Sequence, residues 1–220
     1  MTRVIRKAAL LAVIGLVAAV SVATAGIPSP ANSTVPTYID LASCNGSGVV
    51  NPAMAFTVTV LDIGNFPVVN QLVSVAFNTD VKLYNAFPGF VSCQVAEATT
   101  GIDGVAHFAA IPGAGKNTNG GLTFTGASAA KIYAGSVGGI VLGTSHVTTM
   151  DENGAVTTLG VEVLDLAAWG ADYNARNNVG RPMMRRSDFN HLGTLDVIDL
   201  ALWGAVKNGV YKAACGTLCP

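Results

Sequence analysis

Charged side chains are scarce in this sequence of 220 residues: Asp, Glu, Lys and Arg make up 11% of it, and the formal net charge is −1. Nucleic-acid binding is therefore not expected, because such a surface needs clustered Lys and Arg. The hydrophobic fraction is 50%, whereas disordered chains combine low hydrophobicity with high net charge. The composition indicates a folded protein whose surface is formed mostly by Thr, Ser and Asn.

The motifs of the common enzyme classes are absent as well. The three histidines, His107, His146 and His191, fall in three different predicted elements. The sequence has no Gly-x-Ser-x-Gly nucleophile elbow, no His-Glu-x-x-His zinc motif and no glycine loop placed between a strand and a helix to hold phosphate. Asp103 precedes Gly104 in a predicted turn, where this pair serves the backbone geometry. We therefore predict that the protein is not an enzyme.

The sequence has a single long apolar run, which lies close to its first residue. A basic leader, Met1–Lys7, precedes an apolar run from Ala8 to Val22, and small residues suitable for cleavage follow up to Ala25. A retained membrane anchor is the competing interpretation, but a run of about fifteen residues is shorter than the ~20 that span a bilayer. We predict a signal peptide over residues 1–25, a secreted or cell-surface protein, and no membrane span after cleavage.

Cysteine is also rare, with four residues in the whole chain: Cys44, Cys93, Cys215 and Cys219. An even number of cysteines in an exported protein predicts disulfides. Cys215 and Cys219 are close enough in sequence to bridge locally, which would pair Cys44 with Cys93. We favour this arrangement among the three that are possible. A zinc site is the competing interpretation, but a lone Cys-x-x-x-Cys without a nearby histidine is a weak signal.

Residues 26–150 consist of short runs that alternate apolar and polar residues between turn residues, which is typical of β-strands. Val58 and Val60 should face inward between outward threonines, and Val73 and Val75 should share one buried face. The predicted strands are residues 37–41, 56–62, 72–77, 91–97, 105–111, 122–124, 131–133, 139–142 and 145–150. Their number predicts a mainly β domain built as a sandwich of two antiparallel sheets.

Four segments of this region carry a more specific pattern: Phe56–Asp62, Asn65–Pro67, Val73–Phe77 and Thr100–Phe108. A strand that ends in Asp is followed by an Asn/Pro turn, a Val-x-Val-x-Phe strand, and a Thr-Gly-x-Asp-Gly turn that leads into a strand ending in Phe. The pattern resembles a bacterial immunoglobulin-like domain of the invasin type. The resemblance covers residues 34–149 and implies an immunoglobulin-like β-sandwich that acts as a spacer or adhesion module.

The pattern changes at Asp151–Gly154, where we place the start of a second domain over residues 151–220. Val161–Ala171 aligns with Leu195–Ala205, so a helical segment with one tryptophan occurs twice. A polar stretch, residues 174–187, separates the two copies and is predicted to be a linker. The repeat predicts a small α domain of two EF-hand-like loop-helix units.

The second unit has the spacing of an EF-hand calcium loop. Oxygen-bearing side chains stand at the first, third, ninth and twelfth positions, a glycine stands at the sixth, and the seventh residue offers its carbonyl. The predicted Ca²⁺ ligands are Asp188, Asn190, Thr194, Asp196 and Asp199. Leu192 occupies the fifth position, where a carboxylate or amide is usual. The competing interpretation is a helix start at which the Asp residues act only as caps.

The first unit matches the loop pattern less well. Asp151, Asn153 and Asp165 are its weaker candidate ligands, with extra residues inserted before Asp165. This loop is either enlarged and binds the ion weakly or has lost the ion, and we favour loss.

Two loop-helix units near the end of an exported chain resemble a dockerin domain. The resemblance implies Ca²⁺ as the bound ion and a protein partner of the cohesin type, or another surface scaffold. It places partner-recognition residues at Val163, Leu164, Val197 and Ile198. The competing interpretation is that the apolar residues of the two helices only pack the helices together.

These features predict a secreted, non-catalytic protein whose calcium-binding tail attaches it to a partner. The alternative is a carbohydrate-binding component of an extracellular polysaccharide-degrading assembly. A polysaccharide site would need a flat set of exposed aromatic rings, for which Tyr84, Phe87 and Phe90 are the candidates.

Overall fold

The computed structural model describes residues 26–43, 51–85, 87–115, 117–118, 121–122, 126–127, 129–152, 161–177 and 184–209. The predicted signal peptide, Cys44, Asn153, Cys215 and Cys219 lie outside these residues. The described part is mainly β, with a curled sheet and two α-helices.

The elements alternate short strands with turns before two helices close the chain. The strands are β1 (Tyr38–Leu41), β2 (Phe56–Thr59), β3 (Leu72–Phe77), β4 (Val81–Leu83), β5 (Phe90–Ser92), β6 (Val95–Thr99), β7 (Val105–Phe108), β8 (Gly113–Gly115), β9 (Asn117–Thr118), β10 (Gly121–Leu122), β11 (Ala130–Ala134) and β12 (Ile140–Thr149). The helices are α1 (Val163–Ala175) and α2 (Val197–Asn208). Neither helix is long and apolar enough to cross a membrane.

The largest sheet has six strands in the order β1-β12-β11-β3-β6-β5. Strand β1 lies at one edge and pairs in parallel with β12, with Tyr38 opposite His146, and the other pairs are antiparallel. Three further pairs are formed by β2 with β7, β4 with β8, and β9 with β10. The predicted mainly β class is confirmed, while the immunoglobulin-like sandwich stays a prediction.

The predicted alternation of buried and exposed residues is confirmed in the strands that form the core. Val58 and Val60 are fully buried, as are Val73 and Val75. Side chains of a strand point alternately to its two faces, so the polar neighbours of Val58 lie on the other face. The main hydrophobic core therefore lies among the strands, as the sequence pattern indicated.

Strand boundaries differ from the predicted ones where the backbone, and not the side-chain pattern, determines pairing. The segment predicted as one strand over residues 91–97 forms two antiparallel strands, β5 and β6. The segments predicted as separate strands over residues 139–142 and 145–150 form the single strand β12. Strand β8, Gly-Ala-Gly, lies outside the predicted strands, because almost no side chain marks its pairing with β4.

The two helices contribute to a second, smaller core. Met150, Val161, Trp169, Phe189 and Trp203 are buried together in it. The α-helical character predicted after Leu164 is confirmed, and both tryptophans lie inside.

The predicted polar linker over residues 174–187 is wrong at both of its ends. Helix α1 extends to Ala175, and a 3-10 turn, Arg185–Ser187, precedes the second loop. Within that turn Arg186 is 5% exposed and Ser187 is fully buried. The polar residues misled the prediction because their partners are distant in sequence.

Candidate cation-binding loop

The predicted calcium loop turns back on itself between the 3-10 turn and helix α2. The backbone reverses at His191 and Gly193, whose φ angles are 60° and 79°. A positive φ is readily adopted by glycine and strains most other residues. The requirement for glycine at the sixth loop position is therefore met in the backbone. Leu192, between these two residues, is 69% exposed.

Asp188, at the first position of the loop, is fully buried. Its Oδ2 atom accepts a hydrogen bond from the backbone N–H of Gly193 at 3.1 Å. Arg185 Nη1 lies 3.3 Å from the same oxygen, and Tyr38 Oη lies 3.5 Å from it. The Oδ1 atom is buried and has no hydrogen-bond partner in the described part of the chain. One oxygen of the carboxylate is thus held by the protein, and the other is left unsatisfied.

Asp199, at the twelfth position, is also fully buried. Its Oδ1 accepts from the backbone N–H of Asn190 at 3.1 Å, and its Oδ2 accepts from that of Asp196 at 2.9 Å. Burial raises the pKa of Asp199, these hydrogen bonds oppose the rise, and the charges of Asp188 and Asp196 add to it. The carboxylates of the loop therefore disfavour one another's charge at Asp199, while Arg185 compensates part of the charge at Asp188.

The remaining predicted ligands occupy the loop in different ways. Asn190 Oδ1 accepts from the N–H of Leu192 at 2.9 Å, while its Nδ2 is buried without a partner. Asp196 Oδ1 caps helix α2 by accepting from the N–H of Ile198 at 2.7 Å. Thr194 is exposed. Helix capping therefore accounts for one oxygen of Asp196 and, through a capping box, for Oδ2 of Asp199, and it leaves Asp188 unexplained.

The donor set suits a hard cation such as Ca²⁺, which takes carboxylate, amide and carbonyl oxygens. Among the described residues, each carboxylate oxygen of Asp199 accepts one N–H and so keeps lone-pair capacity. Within the described residues, no three His, Cys, Asp or Glu side chains converge as a metal-binding group. Two features of the loop favour a bound ion: Asp188 Oδ1 is buried with no partner among the described residues, and the charges of Asp188 and Asp196 raise the pKa of Asp199.

The described candidate ligands of the first unit, Asp151 and Asp165, accept hydrogen bonds from groups of the protein. Asp151 is buried and accepts a hydrogen bond from the Tyr84 hydroxyl at 2.7 Å. Asp165 is buried at the start of helix α1, and its Oδ2 accepts from the N–H of Glu162 at 2.7 Å. Asn153 lies outside the described residues. Asp151 and Asp165 thus have protein partners of their own.

A buried charge cluster that the sequence analysis missed joins the two units. Arg186 donates to Asp172 through two parallel hydrogen bonds, Nε to Oδ2 at 2.8 Å and Nη2 to Oδ1 at 2.7 Å. Ser187 Oγ lies 2.6 Å from Asp172 Oδ2 and 2.7 Å from Glu152 Oε1. No sequence signal marks this cluster, because its members come from three separate segments.

The hydrogen bonds of this cluster indicate whether the Glu152 carboxyl group is protonated. The single hydroxyl proton of Ser187 cannot be donated to two carboxylates at once. A protonated Glu152 resolves the conflict by donating to Ser187, which then donates to Asp172. In agreement, burial raises the pKa of Glu152 well above its usual value, although the charge of Arg186 opposes the rise.

The loop also contacts the first strand of the sheet. The rings of Tyr38 and His191 are stacked, with centroids 4.1 Å apart and planes inclined by 9°. His191 Nε2 lies 2.8 Å from Asp40 Oδ1, which also accepts from the Thr148 hydroxyl. The hydrogen bond to Asp40 raises the pKa of His191. The tail is therefore packed against its own β region through strands β1 and β12.

The predicted partner-recognition residues lie in the first turns of the two helices and are exposed. Val163 is 71% exposed and Leu164 60%, and Val197 is 68% exposed and Ile198 51%. They occupy equivalent positions of the repeat, whereas Trp169 of the same stripe is buried. Packing of the helices thus accounts for the tryptophan and leaves these four side chains uncovered in the described structure.

The aromatic residues considered for sugar binding do not form a flat exposed set. Tyr84 is 2% exposed and Phe87 is 8% exposed. The rings of Phe87 and Phe90 meet edge to face, with their planes at 71°. A polysaccharide site would have to lie elsewhere on the surface.

Cys93 is disulfide-bonded, and its partner lies outside the described residues. No protein-family model, no curated protein and no solved structure matches this chain. The likenesses to invasin-type and dockerin domains rest on the residues alone.

Proposed function

We propose that the chain is an exported, non-catalytic attachment protein. Its second loop-helix unit binds Ca²⁺, and the first turns of α1 and α2 dock onto a protein partner of the cohesin type. The β region, as an immunoglobulin-like sandwich, serves as the spacer or adhesion module. The observation that carries the proposal is the buried Asp188 carboxylate, whose Oδ1 has no partner in the described chain.

A buried carboxylate oxygen without a partner is costly, because desolvation disfavours the charged form strongly. The negative charges of Asp188 and Asp196 also raise the pKa of Asp199 in the same loop. A divalent cation removes both costs at once by supplying a ligand for Oδ1 and by neutralising the repulsion. The folded form should therefore bind Ca²⁺ more tightly than the unfolded form.

The first prediction is that Ca²⁺ stabilises the protein. At an ion concentration about a hundred times the dissociation constant, the gain is about 2.7 kcal/mol, or a rise of roughly 5–10 °C in the melting midpoint. Thermal melts of the chain from Gly26 to Pro220, in CaCl₂ and in chelator, measure the increment. Asp188→Asn should remove most of it.

Asp103→Asn is the matched control, because Asp103 Oδ1 also accepts a loop N–H, that of Val105 at 3.0 Å. This variant should keep the full Ca²⁺ increment. A melting midpoint that is the same in CaCl₂ and in chelator for the unaltered chain would rule out the ion site.

The second prediction concerns the exposed quartet Val163, Leu164, Val197 and Ile198. Exposed apolar residues at equivalent positions of a repeat offer a partner two similar contact patches. Val163→Asp and Val197→Asp should each weaken binding to a cohesin module by about 2 kcal/mol, or roughly thirtyfold. Binding of the chain to a panel of immobilised cohesin modules, with Ca²⁺ and with chelator, is the measurement.

Val137→Asp provides the control for these variants, because Val137 is 51% exposed in a turn of the β region. It should leave binding unchanged. Equal weakening by all three variants, or binding that persists undiminished in chelator, would contradict the assigned face.

A further inference from the structure

Two different parts of the chain contact the Oδ2 atom of Asp188. Arg185 lies three residues before Asp188, and its Nη1 donates to Tyr38 Oη at 2.8 Å while lying 3.3 Å from Asp188 Oδ2. Tyr38 belongs to strand β1, at the edge of the six-stranded sheet. These groups and the N–H of Gly193 all contact Oδ2, and Oδ1 has no partner among the described residues.

Strand β1 is suited to this role by its alternation. Ile39 and Leu41 are 1% and 2% exposed and lie in the main core. Successive side chains of a strand point to opposite faces, so Tyr38 and Asp40 share the other face. Both of them contact the loop, Tyr38 by stacking on His191 and Asp40 by binding its Nε2 atom. The core thus fixes the strand whose outer face holds the loop.

We infer that strand β1 is part of the cation-binding unit and that Tyr38 is a positioning residue for it. Tyr38, together with Arg185, fixes Oδ2 of Asp188 so that Oδ1 remains available to Ca²⁺. The inference rests on the proposed function of the loop. It adds that the loop does not work alone, because its first ligand is oriented by a residue of the β region.

Outer contacts of this kind set the orientation of a metal ligand, and their loss typically weakens metal binding by about 10–100-fold. The coupling between Ca²⁺ binding and the contact of the loop with strand β1 is reciprocal, because the free energies around a thermodynamic cycle sum to zero. An ion that binds more tightly when Tyr38 is in place must also strengthen the contact between the loop and strand β1.

The test is isothermal titration of CaCl₂ into the chain from Gly26 to Pro220 and into its Tyr38→Phe variant. Phenylalanine keeps the ring stacked on His191 and removes only the hydroxyl that binds Arg185. We expect Tyr38→Phe to bind Ca²⁺ about tenfold more weakly. Its melting midpoint in chelator should fall only slightly, because the packing is unchanged and only the hydrogen bonds of the hydroxyl to Arg185 and Asp188 are lost. Tyr133→Phe, in strand β11, is the matched control and should bind as the unaltered chain does.

The outcomes of the titration distinguish failure of this inference from failure of the proposed function on which it rests. If the unaltered chain takes up no Ca²⁺, the proposed function fails, and this inference fails with it. If the unaltered chain binds and Tyr38→Phe binds equally well, the inference alone is overturned. A lower melting midpoint in chelator with unchanged affinity would also overturn it, since Tyr38 would then be only a packing residue.

Discussion

Arg186→Met is expected to lower the free energy of unfolding by about 3–5 kcal/mol. Arg186 is the one basic side chain whose contacts with the buried acids Glu152 and Asp172 are described. Removing it leaves Asp172 buried without its two charge-assisted hydrogen bonds. A protein of ordinary stability, about 5–15 kcal/mol, would lose a large part of it.

Chemical denaturation of the chain from Gly26 to Pro220 measures this loss. Arg176→Met is the control, because Arg176 is exposed and contacts the ring of Tyr173. It should cost less than about 1 kcal/mol. Adding Asp172→Asn to Arg186→Met should recover part of the stability, since the uncompensated charge is then gone. Equal losses for the two arginine variants would show that Arg186 does not neutralise a buried charge.

Trp203→Ala is expected to cost about 3–5 kcal/mol, as large-to-small changes of buried aromatic residues do. Trp203 is 6% exposed and packs in the second core with Trp169 and Phe189. Its Nε1 atom is buried with no partner in the described part of the chain. Trp203→Phe should therefore be much milder than Trp203→Ala, because no hydrogen bond is lost and most of the ring volume is kept.

Leu202→Ala is the control for this position, because Leu202 precedes Trp203 in helix α2 and is 37% exposed. Its cost should stay below about 1 kcal/mol. Denaturant unfolding at a fixed Ca²⁺ concentration compares all three variants. A cost for Trp203→Ala as small as that of Leu202→Ala would refute the second core.

The sequence pattern predicts features that depend on neighbouring residues. Alternation placed Val58 and Val75 inside and identified most of the larger strands, because the period of a strand is local. The loop spacing identified Asp188 and Asp199, and the structure buries both of them. It could not foretell that Asp188 would be contacted by Tyr38, since that contact joins strand β1 to the tail.

The same limit explains the misassigned linker. Arg186 and Ser187 are polar and lie in a stretch without periodicity, and such stretches are usually exposed. Their burial depends on Glu152 and Asp172, which approach them only in the folded chain. Pairing of Gly113–Gly115 with strand β4 is equally invisible in sequence, because glycine carries no side-chain pattern.

Strand β12 ends at Thr149, and the three residues that follow it contact both parts of the protein. Met150 enters the second core, Asp151 binds Tyr84, and Glu152 is fully buried beside Arg186. If the proposed partner binds the helices, tension on them would reach the six-stranded sheet through the contacts of Met150 and Glu152. The β region would then keep a fixed orientation relative to the proposed partner.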